Sequence, residues 1–103
     1  MTARRIRESA TVLAAGDLLA SAFGAELVIL SLKDGVYYGL EDVGARIWAL
    51  LQQPTTVSAI RDALVAEYDV ESARCERDLQ ALLQDLATRG LIEVRARGDG
   101  AVE

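Results

Sequence analysis

Histidine is absent from this 103-residue chain, and cysteine, methionine, tryptophan, phenylalanine and proline occur once each. Without histidine, and with Cys75 as the sole thiol, the common metal sites and the Ser-His or Cys-His nucleophile pairs cannot be assembled. One cysteine cannot close an internal disulfide, which fits a reducing cytoplasm. Cys75 lies on an apolar helical stripe and reads as a small core residue rather than a redox centre. Long hydrophobic runs are missing too: stretches such as Leu27–Leu30 fall far short of the ~20 residues that span a bilayer. The basic start MTARRIRESA leads into no long apolar stretch with a cleavage site, so no secretory signal is expected. Basic clusters are confined to that start, and the net charge is −5. A nucleic-acid partner is therefore disfavoured, because phosphate neutralisation supplies most of such affinity. The glycines, Gly39 and Gly44 included, lack the spacing of a phosphate-binding loop. Neither a metal nor a cofactor is expected, and the default is a binding module rather than an enzyme.

What is present is apolar residue, 51% of the chain, enough for one modest core. Ala10–Ala15 has the character of a short strand, and Gly16–Ala25 reads as a link in which Asp17–Phe23 holds a helical turn. Glu26–Leu32 (ELVILSL) is a branched apolar strand. Lys33-Asp34-Gly35 then turns the chain, and Val36–Gly39 returns antiparallel. After residue 40 the period becomes helical. Val43, Ile47, Leu50 and Leu51 form one stripe up to Pro54, with Trp48 beside it as core or rim. Thr55 and Thr56 offer N-caps to a second helix carrying Val57, Ile60, Leu64 and Tyr68. A third helix opens at Asp69 or Glu71, carries Cys75, Leu79, Leu82, Leu83 and Leu86, and ends at Gly90. Leu91–Arg95 is a final strand or a docked extension. The expected organisation is a flexible N-terminus over 1–9, one domain over 10–95 and a frayed tail over 96–103. The fold class is α+β, winged helix-turn-helix-like, with a three-stranded antiparallel sheet followed by three helices.

The stretches DGVYYGLEDVGARIWALL (34–51), TVSAIRDALVAEYDV (56–70) and DLQALLQDLATRGLI (78–92) together resemble the PqqD-like family of leader-peptide-binding domains, also called RiPP recognition elements. One departure is visible: the family tends to place asparagine after Tyr-Gly-Leu, whereas Glu41-Asp42 follows here, with aspartate still able to cap the helix. The resemblance implies a cytoplasmic adaptor that holds the leader of a ribosomally made precursor and presents it to modifying enzymes. Those are a leader peptidase and macrolactam cyclase in lasso-peptide systems, or a radical-SAM enzyme in pyrroloquinoline quinone and other peptide maturation. A winged-helix DNA-binding regulator is the competing reading. It needs a basic recognition helix, and the third helix sets Arg74, Arg77 and Arg89 against Glu71, Glu76, Asp78 and Asp85.

In the peptide-binding reading, Val36, Tyr37, Tyr38, Gly39 and Leu40 form a sheet edge on which a guest strand pairs. Tyr37 and Tyr38 point to opposite faces, one anchoring the sheet on the helices and the other lining a groove for apolar leader residues, and the sequence leaves open which. Arg74, Arg77, Asp78, Ala81, Leu82 and Asp85 of the third helix supply the facing wall. Ala81 allows close approach and Asp78 accepts a hydrogen bond or a cation. The bland alternative for the tyrosines is ordinary half-burial in a sheet, and for Asp78 a surface ion pair with Arg74 or Arg77. Tyr38→Pro should then remove an edge N–H, and Leu82→Asp should unfold the domain.

Overall fold

The computed structural model describes residues 5–95. Its order is β1 (Thr11–Ala14), β2 (Leu18–Phe23), β3 (Glu26–Ser31), β4 (Tyr37–Glu41), α1 (Val43–Leu50), β5 (Thr55–Thr56), α2 (Val57–Glu67), α3 (Ser72–Thr88) and β6 (Ile92–Arg95). The strands make two three-stranded sheets, β2-β3-β4 and β5-β1-β6, antiparallel throughout. The α+β class with three helices and a three-stranded antiparallel sheet holds, but the membership of that sheet differs from expectation. The segment read as a link with a helical turn is β2, and β1 pairs with β5 and β6 instead.

Local chemistry accounts for the turns. Phe23 pairs with Glu26 across a two-residue loop whose first position, Gly24, has φ +64. That is the hairpin turn in which glycine avoids the steric cost of a left-handed residue. Between β3 and β4 the loop is longer: Ser31 N–H donates to Val36 O at 2.9 Å, and Gly35 N–H to Ser31 O at 2.8 Å. Thr56 caps α2 by accepting from Ala59 N–H at 3.1 Å. Past α3, Leu91 N–H reaches Leu86 O and Gly90 N–H reaches Ala87 O, with Gly90 at φ +75, so the last turn closes as a Schellman motif. Asp42 stands at the N-cap of α1, yet its side chain makes no capping bond and its backbone lies at φ 54, ψ −119. The expected aspartate cap is therefore not made, because that backbone conformation belongs to the tight β4–α1 junction.

The core gathers Val12, Ile29, Leu51, Ile60, Leu64, Leu79, Leu83 and Leu86 between the two sheets and the helices, with Trp48 also buried. Cys75 is buried, and that burial raises its thiol pKa. Leu82, assigned to the same stripe, is only half-buried. The segment ahead of β1 is tied in: Ile6 is buried, its N–H donates to Gln80 Oε1 at 3.1 Å, and its C=O accepts from Gln80 Nε2 at 2.6 Å. Glu8 anchors it again through Arg61 at 2.8 Å. The tail expected over 96–103 and the first four residues of the flexible N-terminus lie outside the described residues.

Candidate functional site

β4 is an outer strand of the β2-β3-β4 sheet and runs into α1 through Asp42 alone. Its register fixes which backbone groups are free. Ser31 and Val36 form a hydrogen-bonded pair, and bonding alternates along an antiparallel ladder, so Ile29/Tyr38 and Leu27/Leu40 are bonded pairs. The N–H and C=O groups of Tyr37, Gly39 and Glu41 therefore face away from β3. Among the described residues no strand pairs with them.

The side chains of β4 alternate against this. Leu40 is buried in the core. Tyr38 turns toward α3, donates its hydroxyl to Asp85 Oδ2 at 2.5 Å, and has the Arg89 guanidinium 5.1 Å from its ring centroid. Arg89 Nε also reaches Asp85 Oδ1 at 3.2 Å. The Tyr38 hydrogen bond, helped by Arg89, holds the Asp85 carboxyl below its ordinary range. The same bond, with burial, pushes the Tyr38 phenol up. Tyr37 takes the other face and is exposed.

One turn along α3 from Asp85 the wall changes character. Leu82 and Asp78 border an apolar cavity of about 290 Å³ between the three helices, closed by Val43, Gly44, Ile47 and Tyr68. A Cβ on Gly44 would lie 3.1 Å from Leu40 Cδ2, so glycine lets the start of α1 press onto β4. The free edge of β4 thus leads from the Tyr38–Asp85–Arg89 cluster toward this cavity at the mouth of α1.

Of the expected residues, Tyr38 and Asp85 meet through their hydrogen bond, Asp78 and Leu82 border the cavity, and Tyr37 and Gly39 present their backbone at the edge. Leu40 does not join them, because its backbone pairs with Leu27 and its side chain is buried in the core. Arg74 lies near the mouth, 3.8 Å from Asp78, both largely exposed. Ala81 is exposed on the rim. Two further expected positions do not join the groove through their side chains. Tyr37 points to the opposite face of the sheet, and Arg77, about 100° around the helix from Asp78, is turned aside. Val36 is exposed in the loop before β4. Val43, Gly44, Tyr68 and Arg89 were missed. Of these, Val43 and Tyr68 carried a prior signal: each sits on an apolar helical stripe, Val43 at the start of α1 and Tyr68 at the end of α2, where the stripe runs past the core it covers. Among the described residues no cluster of histidine, cysteine or carboxylate side chains is set to hold a metal ion.

Three comparisons bear on this arrangement. The chain is 38% identical over 52 residues to a PqqA binding protein of Rhodopseudomonas palustris, spanning half of this chain and about half the length of that relative (51%). Its fold superposes on TbiB1, solved in complex with the TbiA(beta) leader peptide, with a TM-score of 0.73 and 38% identity over 79% of this chain and 94% of the other. It also superposes on a lasso peptide synthetase B1 complexed with the leader peptide, with a TM-score of 0.71 and 26% identity over 80% of this chain and 96% of the other. Residues 26–92, from the first strand of the β3–β4 hairpin to the start of β6, match the family described as Coenzyme PQQ synthesis protein D, and the chain belongs to that PqqD family.

Proposed function

We propose that this protein holds the leader segment of a ribosomally made precursor peptide by strand addition to β4. In that role it presents the peptide to a leader peptidase and macrolactam cyclase of lasso-peptide biosynthesis. The observation that carries the reading is the unpaired edge at Tyr37, Gly39 and Glu41, on a strand that runs straight into Val43 and Gly44 of the apolar cavity's lining. Both structurally similar proteins were solved with a leader peptide bound, which supports the same use of the fold here.

The magnitudes are consistent. Three outward-facing residues offer up to six backbone hydrogen bonds. At about 1 kcal/mol each these contribute about 6 kcal/mol before the cost of ordering the guest. One large apolar side chain of the guest entering the cavity adds about 1.5–3 kcal/mol. Together they reach the range of the ~8 kcal/mol that corresponds to 1 µM only if the guest is long enough to use both. The edge alone binds too weakly, and the cavity alone has no register. Asp78 at the cavity mouth favours a cationic or hydrogen-bond-donating residue next to that apolar one.

The matched family and the PqqA binding relative favour a second setting for the same site, in which the enzyme served is a radical-SAM protein. Fluorescence anisotropy with synthetic leaders separates the two. A lasso precursor leader should bind saturably at low micromolar concentration, with a PqqA-type peptide weaker; the reverse order assigns the radical-SAM setting. Absence of saturable binding to either below about 100 µM, equivalent to about −5.5 kcal/mol, overturns the peptide-holding role.

A further inference from the structure

We propose that the outer face of the β2-β3-β4 sheet is a second docking surface, made for an apolar patch with basic side chains at its margin on the enzyme that modifies the held peptide. The inference rests on the peptide-holding reading for the identity of that enzyme, but the surface itself is read from this chain alone. On the face turned away from the core, Leu19, Phe23 and Tyr37 are 55%, 64% and 72% exposed. Val28 and Leu30 fill the space between them around a shallow depression of about 330 Å³ whose one polar lining residue is Ser21. A sheet face of this kind ordinarily carries polar residues toward water. A contiguous exposed apolar patch marks an interaction surface more often than a scattered apolar residue does.

The charge at its end selects the occupant. Glu26 and Glu41 are directly opposed cross-strand neighbours on this same face, and neither makes an ion pair among the described residues. Two carboxylates in that relation repel. The Glu26 carboxylate lies over Gly39, where a Cβ would come within 3.2 Å of its Oε2, so the negative charge sits flush with the apolar surface. A basic side chain from a partner relieves this repulsion as the apolar patch is covered. A second copy of this chain does not supply one. Face-to-face pairing sets the acidic end against its own copy or against Lys33, whose neighbour Asp34 cancels it, between molecules each of charge −5. Position supplies the last step: a strand added at β4 extends the sheet next to Tyr37 and Gly39, so a protein seated on the outer face touches the sheet and the guest together.

The test uses the full chain, a purified leader peptidase and macrolactam cyclase of the kind proposed above, and the synthetic leader. The double variant Leu19→Ser/Phe23→Ser, with wild-type circular dichroism, should weaken binding to the enzyme about tenfold or more in biolayer interferometry. Glu26→Lys, which leaves the β4 edge untouched, should weaken it severalfold, and leader affinity should be unchanged in both. Equal enzyme affinity across all variants, or no enzyme binding by the wild type, overturns the proposal. So does a wild-type dimer in sedimentation that Leu19→Ser/Phe23→Ser makes monomeric, since that assigns the face to a second copy. Enzyme binding that is lost in the variants while the wild type binds no leader supports the surface and overturns the peptide reading instead.

Discussion

Tyr38 joins the edge strand to the last helix with one hydroxyl. Its bond to Asp85 is charge-assisted, and the carboxylate accepts from Arg89 as well. Because Asp85 titrates below its ordinary range in the folded protein, its ionised form stabilises the fold above that range. The contribution is lost as pH falls through the depressed value. Tyr38→Phe should lower stability by about 1 kcal/mol at pH 7. The gap from wild type should start to narrow below about pH 4, where the carboxylate of the unfolded chain takes up a proton, and close only as the pH falls through the lower folded-state value of Asp85. Thermal melts of both proteins at pH 7 and pH 3 measure this; a gap that widens on acidification contradicts the assigned pairing. Leu82 argues a second case at this scale. Being half-buried against the cavity, it should tolerate aspartate far better than Leu83, which is fully buried. Leu82→Asp should reduce leader affinity more than tenfold while costing less stability than the about 3–5 kcal/mol expected of a fully buried apolar position. Urea unfolding alongside the peptide titration separates the two effects.

At the scale of elements, the parity of the β3–β4 ladder decides what a substitution on β4 does. Tyr38 N–H faces Ile29, so Tyr38→Pro breaks the sheet instead of blunting its edge, contrary to the reading from sequence. The amide to remove is that of Gly39, which faces outward; proline is tolerated on an edge strand when its missing N–H pointed to solvent. Gly39→Pro should retain cooperative unfolding and weaken leader binding about tenfold, whereas Tyr38→Pro should lower the melting temperature sharply. A folded Gly39→Pro protein with undiminished affinity would place the guest elsewhere. The β2 strand shows the same principle from the opposite side. LLASAF has small or apolar residues at every position, so it carries no period-of-two contrast, and its Ala content favours a helical turn. Only pairing with β3 through the Gly24 turn makes it a strand.

At the scale of the whole molecule, the leading segment and α3 are one unit. Gln80 is buried at 4% exposure, in a stripe otherwise apolar, and both its amide groups serve the backbone of Ile6. Gln80→Ala should leave that N–H and C=O without partners and cost about 1–3 kcal/mol, read as a lower urea midpoint with unchanged m-value. Charge at this scale also bears on the DNA-binding alternative. The α3 arginines Arg74 and Arg89 are already committed to Asp78 and Asp85 in i,i+4 pairs, leaving little positive surface for a phosphate backbone.

Determined by the sequence alone were the features set by local chemistry. They are the β3–β4 hairpin, the three helical stripes, a threonine cap at Thr55 or Thr56, the Gly90 stop and, through the Tyr-Gly-Leu and Val-Gly-Ala-Arg-Ile-Trp segments, the family. These depend on residues within a few positions of one another, where periodicity and turn preference act directly. Tertiary structure decided what depends on partners far along the chain. It made β1 a partner of β5 and β6, turned Tyr38 inward and Tyr37 outward, and drew Gln80 into the core to meet Ile6. It also opened the cavity behind Val43 and Leu82. Each of these turns on which face a neighbour covers, and a single strand or helix carries no record of what will be packed against it.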